Sequence, residues 1–193
     1  MFTDSLQATA RRTVETIVAP LAAAGITPDM ITVAGLLLNA GVAAVLATGS
    51  LALGGALLLV AGGFDMLDGA LARRTQTFTV FGGFLDSTLD RFSEAFVLIG
   101  LTYFESVHHH ALESTLLIGL LTGSFLISYT RARAEGLGLE CKVGLLPRPE
   151  RIIILAAGLL FPVLTPILIV LVVLTNLTAL QRIVHVWKIT RPT

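Results

Sequence analysis

The chain of 193 residues carries one cysteine and little charge, with Asp, Glu, Lys and Arg together making up 13%. The single Cys141 rules out an intramolecular disulfide framework and a cysteine-based metal site, and it reads as an incidental loop residue. The shortage of charge goes with 54% hydrophobic residues and a mean hydropathy of +0.85. That excludes an ordinary soluble domain and suits a polytopic membrane protein. Formal net charge is zero, so total charge points to no partner, and no nucleic-acid partner is expected. The N-terminus lacks the leading apolar run of a signal peptide, because Asp4, Gln7, Arg11 and Arg12 interrupt it. No internal repeat is visible, and the apolar runs are too continuous for a second domain. Residues 1–193 read as a single membrane domain, with 1–25 an interfacial helix and 26–193 a six-helix bundle.

The expected fold is therefore an all-α integral membrane protein with six transmembrane helices preceded by an N-terminal amphipathic interfacial helix. Leu6, Ala10, Val14, Ile17, Val18 and Leu21 recur at helical spacing, with Arg11, Arg12 and Glu15 elsewhere on the wheel. A spanning helix needs about 20 mainly apolar residues. The candidates run from Pro28 to Ala47, Leu51 to Ala72, Phe81 to Phe104, Leu112 to Ala134, Pro149 to Leu164 (a short one) and Pro166 to Trp187. The loops around Gly49, Glu105 to Glu113 and Thr165 lack lysine and arginine. All the basic residues fall at the other ends: Arg11, Arg12, Arg73, Arg74, Arg91, Arg131, Arg133, Lys142, Arg148, Arg151, Arg182, Lys188 and Arg191. The positive-inside rule then predicts a multi-pass protein of the cytoplasmic (inner) cell membrane, with both termini on the cytoplasmic side.

Against that background stand four aspartates: Asp65-x2-Asp68-Gly69-x2-Ala72-Arg73-x8-Gly82-x3-Asp86-x3-Asp90. An ionisable residue at membrane depth is costly and reads as functional by default. Asp65 and Asp68 share one helical face, as do Asp86 and Asp90, and the short turn between their helices lets the faces meet. Four clustered carboxylates repel unless cations sit among them, and hard oxygen ligands suit Mg²⁺, Mn²⁺ or Ca²⁺. Bound divalent ions neutralise a diphosphate and stabilise charge in a displacement at phosphorus. Gly69, Ala72 and Gly82 keep the wall small where a nucleotide approaches. Arg73 suits a diphosphate, and Thr79, or Thr77, is a weaker donor to phosphate. A carboxylate site also fits a divalent-cation transporter, but the helices become wholly apolar away from the aspartates, leaving no polar path.

This motif resembles the signature of the CDP-alcohol phosphotransferase (CDP-alcohol phosphatidyltransferase) family, with every fixed position filled at its usual spacing. The resemblance implies a metal-dependent enzyme of phospholipid biosynthesis, using Mg²⁺ or Mn²⁺. It would transfer a phosphatidyl group from CDP-diacylglycerol to a polar alcohol and release CMP. It further implies Asp65, Asp68, Asp86 and Asp90 as metal ligands, Asp90 as general base, and a homodimer. The Pro28-Asp29-x2-Thr32 stretch matches a part of the family's cytidine site; read alone, it is a helix start. Its nucleotide site would comprise Pro28, Asp29, Thr32, Asp65, Asp68, Gly69, Ala72, Arg73, Thr79, Gly82 and Asp86.

A second constellation follows, Arg131-Ala-Arg133-Ala-Glu135-Gly136 and Arg148-Pro-Glu150-Arg151. Arg131, Arg133 and Arg151 border apolar runs, and several arginines converging on one pocket suit a phosphate dianion. Lys142 and Arg148 read as flanking topology charges. The runs resemble the bacterial phosphatidylinositol-phosphate synthase branch, which typically has lysine where Arg131 stands. That resemblance implies that Arg131, Arg133, Arg151 and Arg191 hold the phosphate of inositol 1-phosphate. Glycerol 3-phosphate is the alternative acceptor. His108 to His110 read as a solvated loop on the opposite side. Glu94, one turn after Asp90, reads equally as site support and as packing.

Overall fold

The structure, a computed structural model, describes residues 16 and 18–191. Among the described residues the elements are α1 (Pro28–Ala47), α2 (Leu51–Thr75), α3 (Val80–Val107), α4 (Ala111–Glu135), α5 (Arg148–Leu160) and α6 (Leu164–Ile189), with no strand. Most of the predicted interfacial helix lies outside the described residues. Its last turns, 18–23, are helical, and Val18 is buried against Ile31, Leu67 and Leu71.

Local chemistry sets the boundaries. Thr27 caps α1 by accepting from Met30 N at 3.3 Å, and Pro28 follows at the start of the helix, where its missing N–H costs nothing. Thr79 caps α3 in the same way, accepting from Gly82 N at 2.8 Å. Helix α2 closes on Gln76 at φ 53°, in the left-handed region. Helix α5 stops at Leu160, short of the predicted Leu164. Phe161 precedes Pro162, is held extended at φ −109° and ψ 147°, and cannot continue the helix.

Helix α1 packs against α2 and α3, α2 against α5, α5 against α6, α6 against α4, and α4 against α3. These contacts close a ring in the order α1, α2, α5, α6, α4, α3. Leu46, Leu58, Leu98, Leu101, Leu117 and Leu171 fill its interior. Leu37, Val60, Phe84, Ile118 and Ile183 point outward and exposed, so the helices are apolar on both faces, as expected against lipid. Small residues bring the backbones close. A Cβ at Gly100 would lie 2.3 Å from the Ala43 carbonyl oxygen, and one at Gly55 would lie 3.1 Å from that of Ala156.

Among the described residues, four helices are long and apolar enough to cross a membrane: α1, α2, α4 and α6. The other two depart from the sequence expectation for different reasons. Helix α3 has the length, at 28 residues, but carries Asp86, Asp90, Arg91, Glu94 and Glu105. Helix α5 has only 13 residues, about 20 Å at 1.5 Å per residue.

Candidate active site

The ring places the N-termini of α1, α3 and α5 at the same end as the C-terminus of α2, and the site forms there. Asp65 and Asp68 lie on the last turns of α2, and Asp86 and Asp90 on the first turns of α3. Asp68 is buried; it accepts from Thr32 Oγ1 at 2.9 Å and from the backbone N–H of Gly69. Asp65 faces α1, with Oδ1 3.0 Å from where a Cβ at Gly35 would stand. Asp29 lies across from α3, 3.1 Å from the corresponding point at Gly82. Asp86 lies within electrostatic reach of Asp90, Asp68 and Asp65. Pro28, at the start of α1, and Ala72, near the end of α2, stand at this same end, with Ala72 buried. Arg73 is exposed, and its guanidinium approaches Gly69.

Arg148 sits in the middle of the carboxylates. Its Nη1 donates to Asp90 Oδ1 at 2.6 Å, its Nη2 lies 3.1 Å from Asp65 Oδ2, and the Asp90 carbonyl accepts at 3.3 Å. Sequence reasoning treated Arg148 as a topology charge. The missed signal was its spacing: Arg148 and Arg151 stand three apart in the first turn of one helix, with Pro149 between them, so they share a face. Arg91 touches the other oxygen of Asp90 at 3.4 Å and donates to Ser128 at 2.9 Å.

The donor set fits a hard divalent ion by chemistry. It offers two carboxylates from each of two facing helices, and one from each helix, Asp65 and Asp90, already pairs with a cation, the Arg148 guanidinium. Among the described residues, no three acidic or histidine side chains converge closely enough in this structure to ligate one ion.

The remaining arginines are spread along that end of the bundle. Arg151 is 6% exposed and is clamped by Glu94, with Nη2 3.0 Å from both carboxylate oxygens and Nε 3.2 Å from one of them. Ser124 donates to the same carboxylate at 2.9 Å, so Glu94 ties α3 to α4 and α5. Arg131 pairs with Glu135 at 2.7 Å on an exposed face, and Arg133 is exposed in the last turn of the helix. Arg191 stacks on Trp187, 3.5 Å from the ring centre, at the end of α6. Arg182, read from sequence as a flanking charge, instead donates to the carbonyls of Ile127 and Val143 and ties α6 to α4 and to the loop before α5. Cys141 in that loop is fully buried, so it is a packing residue and not an incidental one.

The family model described as CDP-alcohol phosphatidyltransferase matches residues 25–190. The chain belongs to the CDP-alcohol phosphatidyltransferase family. It is an enzyme of the transferase class, and the transporter alternative falls away. The chain is 44% identical over 172 residues to an archaetidylinositol phosphate synthase of Methanothermobacter thermautotrophicus, covering 83% of each chain. It is 41% identical to a phosphatidylinositol phosphate synthase of Mycobacteroides abscessus, over 78% of this chain and 71% of that one. Among solved structures, the fold matches the phosphatidylinositol phosphate synthase of Mycobacterium tuberculosis with CDP-DAG bound. The TM-score is 0.87 at 33% identity, covering 94% of this chain and 99% of that one. The same mycobacterial enzyme in complex with manganese and citrate matches with a TM-score of 0.86 at 34% identity, covering 93% of each chain.

A small cavity beneath the aspartates is lined by Asn39, Glu94, Arg148 and Arg151, over an apolar floor that includes Leu58 and Leu98. A larger one, about 750 Å³, opens at the opposite end around Gly49, Phe104, Glu105 and Phe161. There His110 bonds the buried Glu105, so the histidine loop is anchored and not purely solvated. The family motif stands at the aspartate end.

Proposed function

We propose that the chain transfers the phosphatidyl group of CDP-diacylglycerol to inositol 1-phosphate, releasing CMP and forming phosphatidylinositol phosphate in phospholipid biosynthesis. One observation carries the reading: a single end of the bundle joins the four-aspartate motif to the buried Arg151 of α5. The relatives named as inositol phosphate lipid synthases, and the mycobacterial structure with CDP-DAG bound, support it.

Pro28, Asp29, Thr32, Gly69, Ala72, Arg73, Thr79 and Gly82 form the wall that takes the cytidine diphosphate. Asp65, Asp68, Asp86 and Asp90 would hold Mg²⁺ or Mn²⁺, which when bound neutralises the diphosphate and stabilises charge at phosphorus. Arg131, Arg133, Arg151 and Arg191 receive the acceptor phosphate; freeing Arg131 from its exposed partner costs only about 0–1 kcal/mol. Asp90 takes the proton from the acceptor hydroxyl. The hydroxyl oxygen bonds to the lipid-linked phosphorus, the bond from that phosphorus to the bridging oxygen breaks, and CMP leaves with the electron pair. Holding both reactants against the same helix ends makes the displacement effectively intramolecular.

All six helices cross the cell membrane in this reading. Helix α3 turns its charges toward the bundle, and the bend at 161–163 completes the short crossing of α5. The termini and the site face the cytoplasm, where a lipid donor and a water-soluble acceptor meet, and the enzyme works as a homodimer. Arg133→Ala and Arg151→Ala should each raise KM for inositol 1-phosphate at least about tenfold, or about 1.4 kcal/mol, with KM for CDP-diacylglycerol near wild type. An unchanged acceptor KM would refute the acceptor assignment. The identity to an archaetidylinositol phosphate synthase favours one second reading, an archaetidyl donor arm, and parallel assays with the two CDP-lipids decide between them.

A further inference from the structure

We propose that Arg148 is the resting counter-cation of the aspartate cluster: its guanidinium withdraws from Asp65 and Asp90 when a divalent ion enters, and it then takes the phosphate of the acceptor. The inference rests on the metal-dependent transfer proposed above and gives a role to a residue that reading leaves unused.

The oxygens decide the first half. A divalent ion of this kind needs several oxygens at about 2.0–2.6 Å. Here Asp65 Oδ2 and Asp90 Oδ1, the two oxygens that face each other from α2 and α3, are both taken by Arg148, at 3.1 and 2.6 Å. Asp68 is held back by Thr32 at 2.9 Å. The carboxylates are spaced around a guanidinium and do not close to ligating distance among the described residues. A second cation cannot enter between Asp65 and Asp90 while the first remains, since the two repel and compete for the same oxygens.

The hydrogen bonds of Arg148 decide the second half. Its two Nη atoms reach carboxylates, but its Nε is buried with no partner in the structure. A guanidinium edge offers Nε–H and Nη–H as a parallel pair, which phosphate accepts bidentately and which the present seat leaves half used. Arg148 opens α5 three residues before Arg151, and both line the cavity floored by Leu58 and Leu98. In Arg151 the corresponding edge is already filled by Glu94, which leaves Arg148 as the one of the pair whose Nε has no partner. Metal and acceptor phosphate both favour the withdrawn state of Arg148, so each must raise the affinity of the other by the same factor.

The test titrates the purified full-length protein in detergent with Mn²⁺, read by electron paramagnetic resonance, without CDP-lipid. Removing a competitor that fills the site more than nine-tenths of the time tightens binding by that population ratio. Arg148→Gln is therefore expected to bind Mn²⁺ at least about tenfold tighter than wild type, and Arg148→Lys to fall between them. Inositol 1-phosphate should tighten Mn²⁺ binding to the wild type, with that coupling falling to about one in Arg148→Gln. Equal or weaker Mn²⁺ binding by the glutamine variant, or coupling that survives in it, would overturn the proposal. Should the glutamine variant not fold, Arg148→Lys decides alone, and affinity no tighter than wild type overturns it. CMP release by the wild type separates the two readings. Turnover with inositol 1-phosphate alongside unaltered Mn²⁺ affinity in the variants removes only the counter-cation role. A wild type that neither binds Mn²⁺ nor releases CMP removes the proposed function with it.

Discussion

Glu94→Ala would leave the guanidinium of Arg151 buried without its counter-charge. The two side chains are 14% and 6% exposed, and their closest approach is 3.0 Å. At that distance, with an effective dielectric of about 20, Coulomb's law gives about 5–6 kcal/mol. Desolvation of the pair offsets part of this, and losing one partner of a buried pair costs about 3–5 kcal/mol. Ser124 loses its acceptor as well. For a chain of this length, each kcal/mol moves the melting temperature by about 2–4 °C, so thermal unfolding in detergent should show a fall of roughly 6–20 °C. Glu94→Gln keeps the shape and one acceptor oxygen and should lose less, roughly 1.5–3 kcal/mol. The double variant Glu94→Leu with Arg151→Met should recover much of the loss, because no unpaired charge remains. A Glu94→Ala protein melting within about 2 °C of wild type would refute the reasoning, as would a double variant losing the sum of the singles.

Gly100→Ala pushes a methyl group against the Ala43 carbonyl oxygen at 2.3 Å, so α1 and α3 must separate. A loss of about 1–3 kcal/mol is expected, measured by the same melting experiment. Thr32→Val removes the 2.9 Å bond to Asp68, a bond to a charged group worth about 1.5–3 kcal/mol. KM for the CDP-lipid should rise about tenfold or more in steady-state assays while KM for the acceptor stays near wild type. Chelation of divalent ions should abolish CMP release, and Mn²⁺ or Mg²⁺ added back should restore it; activity persisting in excess chelator would contradict the role given to the aspartates.

Much of the fold was legible because its determinants are local. The predicted first helix has the same ends as α1, since Thr27, Pro28 and Gly49 mark them chemically. The other helices agree within a few residues, and the largest miss, the end of α5, came from not weighing what Pro162 does to Phe161. Charge patterning likewise put the basic residues at one set of ends without any structure. The partners of those charges were not legible, because they depend on which helices become neighbours. Arg148, Arg151 and Arg182 look alike as residues at helix ends. Packing of α5 on α2 brings Arg148 to Asp65, the Glu94 carboxylate on α3 captures Arg151, and Arg182 reaches carbonyls of α4 and a loop. Helix counting by apolar length also runs out at α3, whose Asp86, Asp90, Arg91 and Glu94 are half-buried and whose Glu105 is buried.

The central claim, transfer from a CDP-lipid to a phosphorylated inositol at the aspartate end, is tested most directly by CMP release from purified protein in liposomes. The mixture holds CDP-diacylglycerol and Mn²⁺, with inositol 1-phosphate, glycerol 3-phosphate or free inositol supplied separately, and Asp90→Asn serves as the control. The account predicts turnover with inositol 1-phosphate above the other two acceptors, reduced about 10²- to 10⁴-fold in Asp90→Asn. Turnover that prefers glycerol 3-phosphate or free inositol, or that survives intact in Asp90→Asn, would contradict it.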